Sequence, residues 1–364
     1  MPTNSSKPML HNIQFLRGLA ALIVVTVHLK YPWCAGKVTG HFGVDIFFVI
    51  SGFIMSHICA YSPSHFLLRR VIRVVPFYWA ATIGVFIIAL LAPDFLRSTK
   101  FNFGNLVKSL LFIPYQKENG LIQPMFSLGW TLNYEMYFYL LTAFGLKIWA
   151  KGATVVAMAA MALIQVCIEA AGCQSAVCDF YSDTIIYEFA FGVLIFHAIT
   201  RLPKPASPRN TWLWGLLSIG ALFSGIVAER LMPNLDGRFV FLGLPAMVLV
   251  TAAIFLEGSA ISLRVKRWEV FGDSSYMLYL THPYVLDALR HCFARVGIPG
   301  PHAYLASAIL IVALTVWIAI LVHRYVELPV IKILKKLIPR QSCLCVCSPA
   351  IRVSEDPDKY QTPT

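Results

Sequence analysis

The sequence predicts an all-α membrane protein, a polytopic transmembrane helix bundle of about ten helices with both termini cytoplasmic. Three observations predict it. Of 364 residues, 58% are hydrophobic and 13% charged, with a mean hydropathy of +0.68, far from the averages of soluble proteins. Apolar runs near the roughly 20 residues that a span needs recur along the chain. When successive runs are threaded alternately, two thirds of the 30 Lys and Arg residues fall on the side of the amino terminus, and retained positive charge marks the cytoplasm.

In order, the spans are expected at 12–32, 41–61, 74–93, 126–147, 152–171, 182–200, 211–229, 238–256, 270–290 and 302–323. Residues 1–11 form a polar cytoplasmic tail with no small-residue cleavage site, so the first span is expected to stay. Asn102 to Ile113 is amphipathic but too short to cross, and is expected to lie in the interface. Residues 12–337 then make one transmembrane domain, followed by a disordered cytoplasmic tail over 338–364. The tail's Cys343, Cys345 and Cys347 lack the paired Cys or His spacing of a zinc site. Cys173 and Cys178 fall in a short outer loop where a disulfide is permitted, and the sequence leaves open whether they pair. The net charge of +12 follows the cytoplasmic bias and suits anionic lipid headgroups rather than nucleic acid. With no internal repeat and no soluble domain of useful size, the chemistry is expected inside the bundle.

Ionisable residues in hydrocarbon are costly and are usually kept for a site. Arg17 and His28 lie eleven residues apart in the first run. At 100° per residue they share one face, roughly 16 Å apart along the axis, with Arg17 near the cytoplasmic end and His28 near the outer end. Asp45 enters the second span at about the depth of His28, where it can cap the helix or orient the imidazole as a general base. Gly43, Ser51 and Gly52 are small and suit close helix packing. In FLLRRVIRVVPFYW, Arg70 and Arg73 project from one side of a helix at the inner surface. Topology alone explains their charge, whereas forked guanidinium groups also suit phosphate. Glu135 lies deep in SLGWTLNYEMYFYLL among Trp130, Tyr134, Tyr137, Phe138 and Tyr139, rings that pack helices or line sugar clefts. His282 in GDSSYMLYLTHP, preceded by Tyr276 and Tyr279, is expected to join His28, Asp45 and Glu135 at an outer cavity.

The runs NIQFLRGLAALIVVTVHL, HFGVDIFFVISGFIM, RRVIRVVPFYW, SLGWTLNYEMYFY, GDSSYMLYLTHP and RYVELP, in this order from residue 11 to about 337, resemble the ordered motifs of the membrane acyltransferase-3 family. They are most similar to its stand-alone exopolysaccharide-acetylating branch. The resemblance implies a ten-helix inner-membrane enzyme that moves an acyl group, usually acetyl from cytosolic acetyl-CoA, to a hydroxyl of an extracytoplasmic or lipid-linked glycan. It implies that Arg17 and His28 are required, and it matches the family's RxxR signature to Arg70 and Arg73.

Together the residues and the resemblance predict a bacterial inner-membrane O-acetyltransferase. Arg17, Arg70 and Arg73 bind acetyl-CoA. His28 is the base, or carries the acetyl group, with Asp45 and Glu135 as catalytic partners. Tyr134, Tyr279 and His282 bind the acceptor, and no metal is needed. Alternatives are succinyl-CoA as donor, another acceptor such as lipopolysaccharide, peptidoglycan or a small molecule, and a non-enzymatic glycan transporter or flippase. The oligomeric state is not legible in the sequence.

Overall fold

A chain crossing hydrocarbon must satisfy its backbone polar groups within itself, and in long apolar runs a helix does this. The computed structural model describes residues 10–29, 41–92, 96, 99–200, 208–231, 237–257, 266–296 and 301–339. The ends of both tails, including Cys343, Cys345 and Cys347, lie outside the described residues. Among the described residues the chain forms fifteen α-helices and no strand, with one isolated bridge between Gln116 and Ile122. The helices are α1 (His11–Val27), α2 (His41–Tyr61), α3 (Phe66–Leu91), α4 (Phe103–Leu110), α5 (Trp130–Ile148), α6 (Ala153–Ala170), α7 (Ala176–Tyr181), α8 (Tyr187–Ile199), α9 (Pro208–Leu231), α10 (Arg238–Phe241), α11 (Gly243–Phe255), α12 (Lys266–Asp273), α13 (Ser275–Val296), α14 (Pro301–Val322) and α15 (Leu328–Leu334).

Among the described residues, helix is found within each of the ten expected spans. Seven helical segments are long and apolar enough to cross a membrane: α2, α3, α6 with its leading turn, α7 to α8, α9, α10 to α11, and α14 to α15. The apolar α1 has 17 residues, ending at Val27 with His28 as its C-cap instead of continuing to residue 32. In α5, Tyr, Asn and Glu replace aliphatic residues, and α13 carries Asp287, Arg290 and Arg295 in its second half. The expected span at 270–290 is two helices, because α12 stops at Asp273 and α13 starts at Ser275.

The hub is α2, buried along most of its length and packed against α1, α8 and α11. It can approach α8 closely because both helices present glycine at the crossing. A Cβ on Gly52 would collide with the Phe189 carbonyl, and one on Gly192 with the Val49 carbonyl. Gly43 does the same job against the Ala20 carbonyl of α1.

The short α4 falls on the segment expected to lie in the interface. Asn102 caps it by accepting from the Asn105 N–H at 2.9 Å, Leu106 and Ser109 face inward, and Phe103 and Val107 are exposed. Tyr78 and Trp79 of α3 hold its end by donating to the carbonyls of Ser109 and Leu110. Beyond it, the Lys117 ammonium is buried and donates to Thr99 Oγ1, Ser127 Oγ and the Met125 carbonyl at 3.0, 2.9 and 3.3 Å. Burial pushes this amine down to about 8. A disulfide joins Cys173, just before α7, to Cys178 within it.

Candidate active site

Three clusters of polar side chains lie inside the bundle. The first surrounds a cavity of about 290 Å³ bounded by α1, α2, α3, α5 and α13. Arg70 and Arg73, three residues apart on α3, reach it from the same side, as helical spacing requires. Arg17 joins them from α1, its Nη1 donating to Gln14 Oε1 at 2.9 Å. Glu135 is the one acid on the wall among the described residues. Its Oε1 accepts from Tyr139 Oη at 2.5 Å, one helical turn on, and from Ser51 Oγ at 3.2 Å. Three guanidinium groups against one carboxylate leave an excess of positive charge, and the buried Arg70 Nε has no hydrogen-bond partner among the described residues. That combination suits an anionic ligand bearing several acceptor oxygens.

The second cluster is a pair of histidines. His28 Nδ1 donates to the Val24 carbonyl at 2.7 Å, and His282, fully buried, donates from Nδ1 to the Tyr279 carbonyl at 2.8 Å. The two rings stand edge to face with centroids 5.0 Å apart. Tyr279 joins this pair to the cavity. It lines the cavity wall, bonds Thr131 Oγ1 at 2.9 Å through its hydroxyl, and has its ring 6.0 Å from that of His282.

The third cluster was not expected. Asp45, 0% exposed, forms an ion pair with Arg238 of α10, Nε to Oδ1 2.9 Å. Arg238 also lies 3.8 Å from Glu188 of α8, 3.0 Å from His41 Nδ1, and over the Trp130 ring. Two buried carboxylates thus share one guanidinium.

This geometry revises the single outer cavity expected from the sequence. His28 and His282 do meet. Asp45 does not orient His28, because Arg238 occupies its carboxylate. Glu135 faces the arginines and Ser51 of α2 rather than the histidine pair. Tyr134 is a packing residue, 2% exposed, stacked on Phe180 with centroids 3.9 Å apart and donating to the Phe180 carbonyl. Ser51 is more than a small packing residue, since its hydroxyl holds Glu135. Sequence reasoning missed Arg238 and Glu188. An acid inside the apolar run 182–200 carried the same signal that singled out Glu135. Arg238 passed as an ordinary charge at a span end. Among the described residues no group of three or more His, Cys, Asp or Glu side chains is placed to hold a metal ion.

The acyltransferase-3 sequence profile, described as an acyltransferase domain, matches residues 10–324. The exopolysaccharide production protein ExoZ of Rhizobium meliloti is 30% identical over 290 residues, 76% of this chain and 87% of that protein. The peptidoglycan O-acetyltransferase OatA of Listeria monocytogenes is 26% identical over 370 residues, 91% of this chain and 57% of that protein. The putative peptidoglycan O-acetyltransferase YrhL of Bacillus subtilis is 25% identical over 86% of this chain and 54% of that protein. The chain therefore spans little more than half the length of these two relatives. No solved structure matches. A helical bundle with several membrane-crossing helices, a basic cavity and a histidine pair, matched by the family profile over residues 10–324, belongs to the acyltransferase-3 family of multi-pass membrane enzymes.

Proposed function

We propose that this enzyme transfers acetyl from cytosolic acetyl-CoA to a hydroxyl of an extracytoplasmic or lipid-linked glycan, an exopolysaccharide. One observation carries the proposal: the cavity with Arg17, Arg70 and Arg73 on its walls extends to Tyr279, whose ring adjoins the His28 and His282 pair. The relative named for exopolysaccharide production is covered over 87% of its length, which supports that acceptor over peptidoglycan.

In this scheme ten spans cross a bacterial inner membrane with both ends in the cytoplasm. The disulfide between Cys173 and Cys178 supports an outer location for its loop. The arginines take the donor's phosphates. A volume of about 290 Å³ suits the pantetheine arm and acyl end rather than the whole nucleotide. Glu135 faces the arm's amide N–H groups. His28, partly exposed at the end of α1, removes the proton of the acceptor hydroxyl. The oxygen attacks the thioester carbonyl, and the coenzyme leaves as a thiol with the proton returned from His28.

Purified His28→Ala and the pair Arg70→Lys and Arg73→Lys test the scheme with radiolabelled acetyl-CoA and the cells' own de-O-acetylated polysaccharide. His28→Ala should retain acetyl-CoA binding and lose transfer. Each Lys variant should weaken acetyl-CoA binding about tenfold, because charge persists while the fork is lost. Normal transfer by His28→Ala ends the base role, and unchanged affinity in both Lys variants ends the donor site. The mass added per polysaccharide repeat distinguishes acetyl from succinyl.

A further inference from the structure

His28 and His282 are held in the same way by different means. A carbonyl only accepts, so the bond to Val24 puts the proton of His28 on Nδ1 and leaves the lone pair of the neutral ring on Nε2. In α13 the cause is Pro283. It has no N–H, so the Tyr279 carbonyl four residues back loses its helical donor. His282 Nδ1 donates there at 2.8 Å and lies 3.1 Å from the Leu278 carbonyl. Proline thus exposes an acceptor that the preceding histidine fills, and the ring is fixed with Nε2 unprotonated. That nitrogen is buried and meets no hydrogen-bond donor among the described residues. A buried acceptor without a donor costs stability, which suits a site where positive charge forms beside it during reaction.

We propose that His282 is a positioning residue for His28: its imidazole, unprotonated at Nε2, packs edge to face on the His28 ring and stabilises the imidazolium that His28 becomes on taking the acceptor's proton. This rests on His28 being the base. The hydroxyl O–H bond breaks, His28 gains the proton, and the new C–O bond forms as the thioester C–S bond opens. The proton then passes from His28 to the departing thiolate, and His282 ends as it began. A neutral partner suits this depth better than a carboxylate, since it adds no buried charge to the resting enzyme. It fills the role expected of Asp45, which Arg238 occupies.

Other titratable or charged groups surround the pair. His41 of α2 lies within electrostatic reach of His28 with Arg238 behind it, and Tyr279 adjoins His282. The acids of α12 lie toward the other end of α1, Glu269 against His11 and Asp273 within reach of Arg17.

The test compares His282→Phe, a ring without a lone pair, with His282→Gln, whose carbonyl can accept. Both remove the imidazole donor from the Tyr279 carbonyl, so a purely structural role affects them alike. His282→Phe should lower kcat about 10- to 100-fold with acetyl-CoA affinity unchanged, and His282→Gln should recover most of the rate. The acid limb of the pH–rate profile should move to lower pH by about one unit in His282→Phe, because His28 loses the neighbouring lone pair that favours its protonated form. Unchanged kcat in His282→Phe, or equal losses in both variants with an unmoved limb, overturns the assignment. Normal transfer by His28→Ala would instead remove the base role beneath it.

Discussion

Asp45 illustrates how a residue's meaning changes with its neighbour. In the sequence it stands at the depth of His28, and proximity along the hairpin suggests a catalytic pair. In the fold its carboxylate meets Arg238, with Glu188 beside them, all three nearly excluded from solvent. Removing one member of such a set leaves the others charged and uncompensated. Arg238→Met should therefore destabilise the protein by about 3–5 kcal/mol in thermal unfolding in detergent. The double variant with Asp45→Asn should recover part of that loss. Equal stability of wild type and Arg238→Met would show that the pair is not structural. Loss of transfer in Asp45→Ala would by itself then report on the fold rather than on the base.

At the scale of elements, close approach and buried charge make separate demands. The crossing of α2 and α8 needs glycine at residues 52 and 192, where an added methyl meets backbone. Gly192→Ala should cost about 1–3 kcal/mol, the usual penalty of forced overpacking. Gly84→Ala, in α3 where the added atom meets nothing, should be neutral or stabilise by about 0.5–1 kcal/mol. Equal effects at the two sites would dismiss the crossing as the reason. The segment around Lys117 has a pH signature of its own. Its amine titrates near 8 when folded and 10.5 when unfolded, so between those values the unfolded state binds more protons. The penalty of the buried ammonium is present below about pH 8 and is relieved as pH rises toward 10.5. Protease nicking between Thr99 and Ser127 should accordingly slow from pH 7.5 to about 10, and Lys117→Met should flatten the trend.

For the whole molecule, the testable feature is which way it faces. If the loop closed by Cys173 and Cys178 is outside, a membrane-impermeant reductant and maleimide should label it in intact spheroplasts. Labelling only after lysis would invert the topology and with it the acyl route. The helical class, the helical runs, the arginine pair on α3 and the meeting of His28 with His282 were all legible in the sequence. Each depends on local hydropathy, on helical spacing or on depth along a span, and these are properties of short stretches of chain. The facing of Glu135 toward the arginines, the pairing of Asp45 with Arg238, the burial of Tyr134 and the division at Ser274 were not. Hydropathy gives a residue's depth but not its azimuth, and azimuth is set by which neighbour each helix packs against. The sequence by itself thus determined a helical membrane acyltransferase with ionisable groups at stated depths. Only the tertiary structure decided which of those groups share a cavity, because that choice is made by glycine crossings and buried ion pairs between segments distant in the chain.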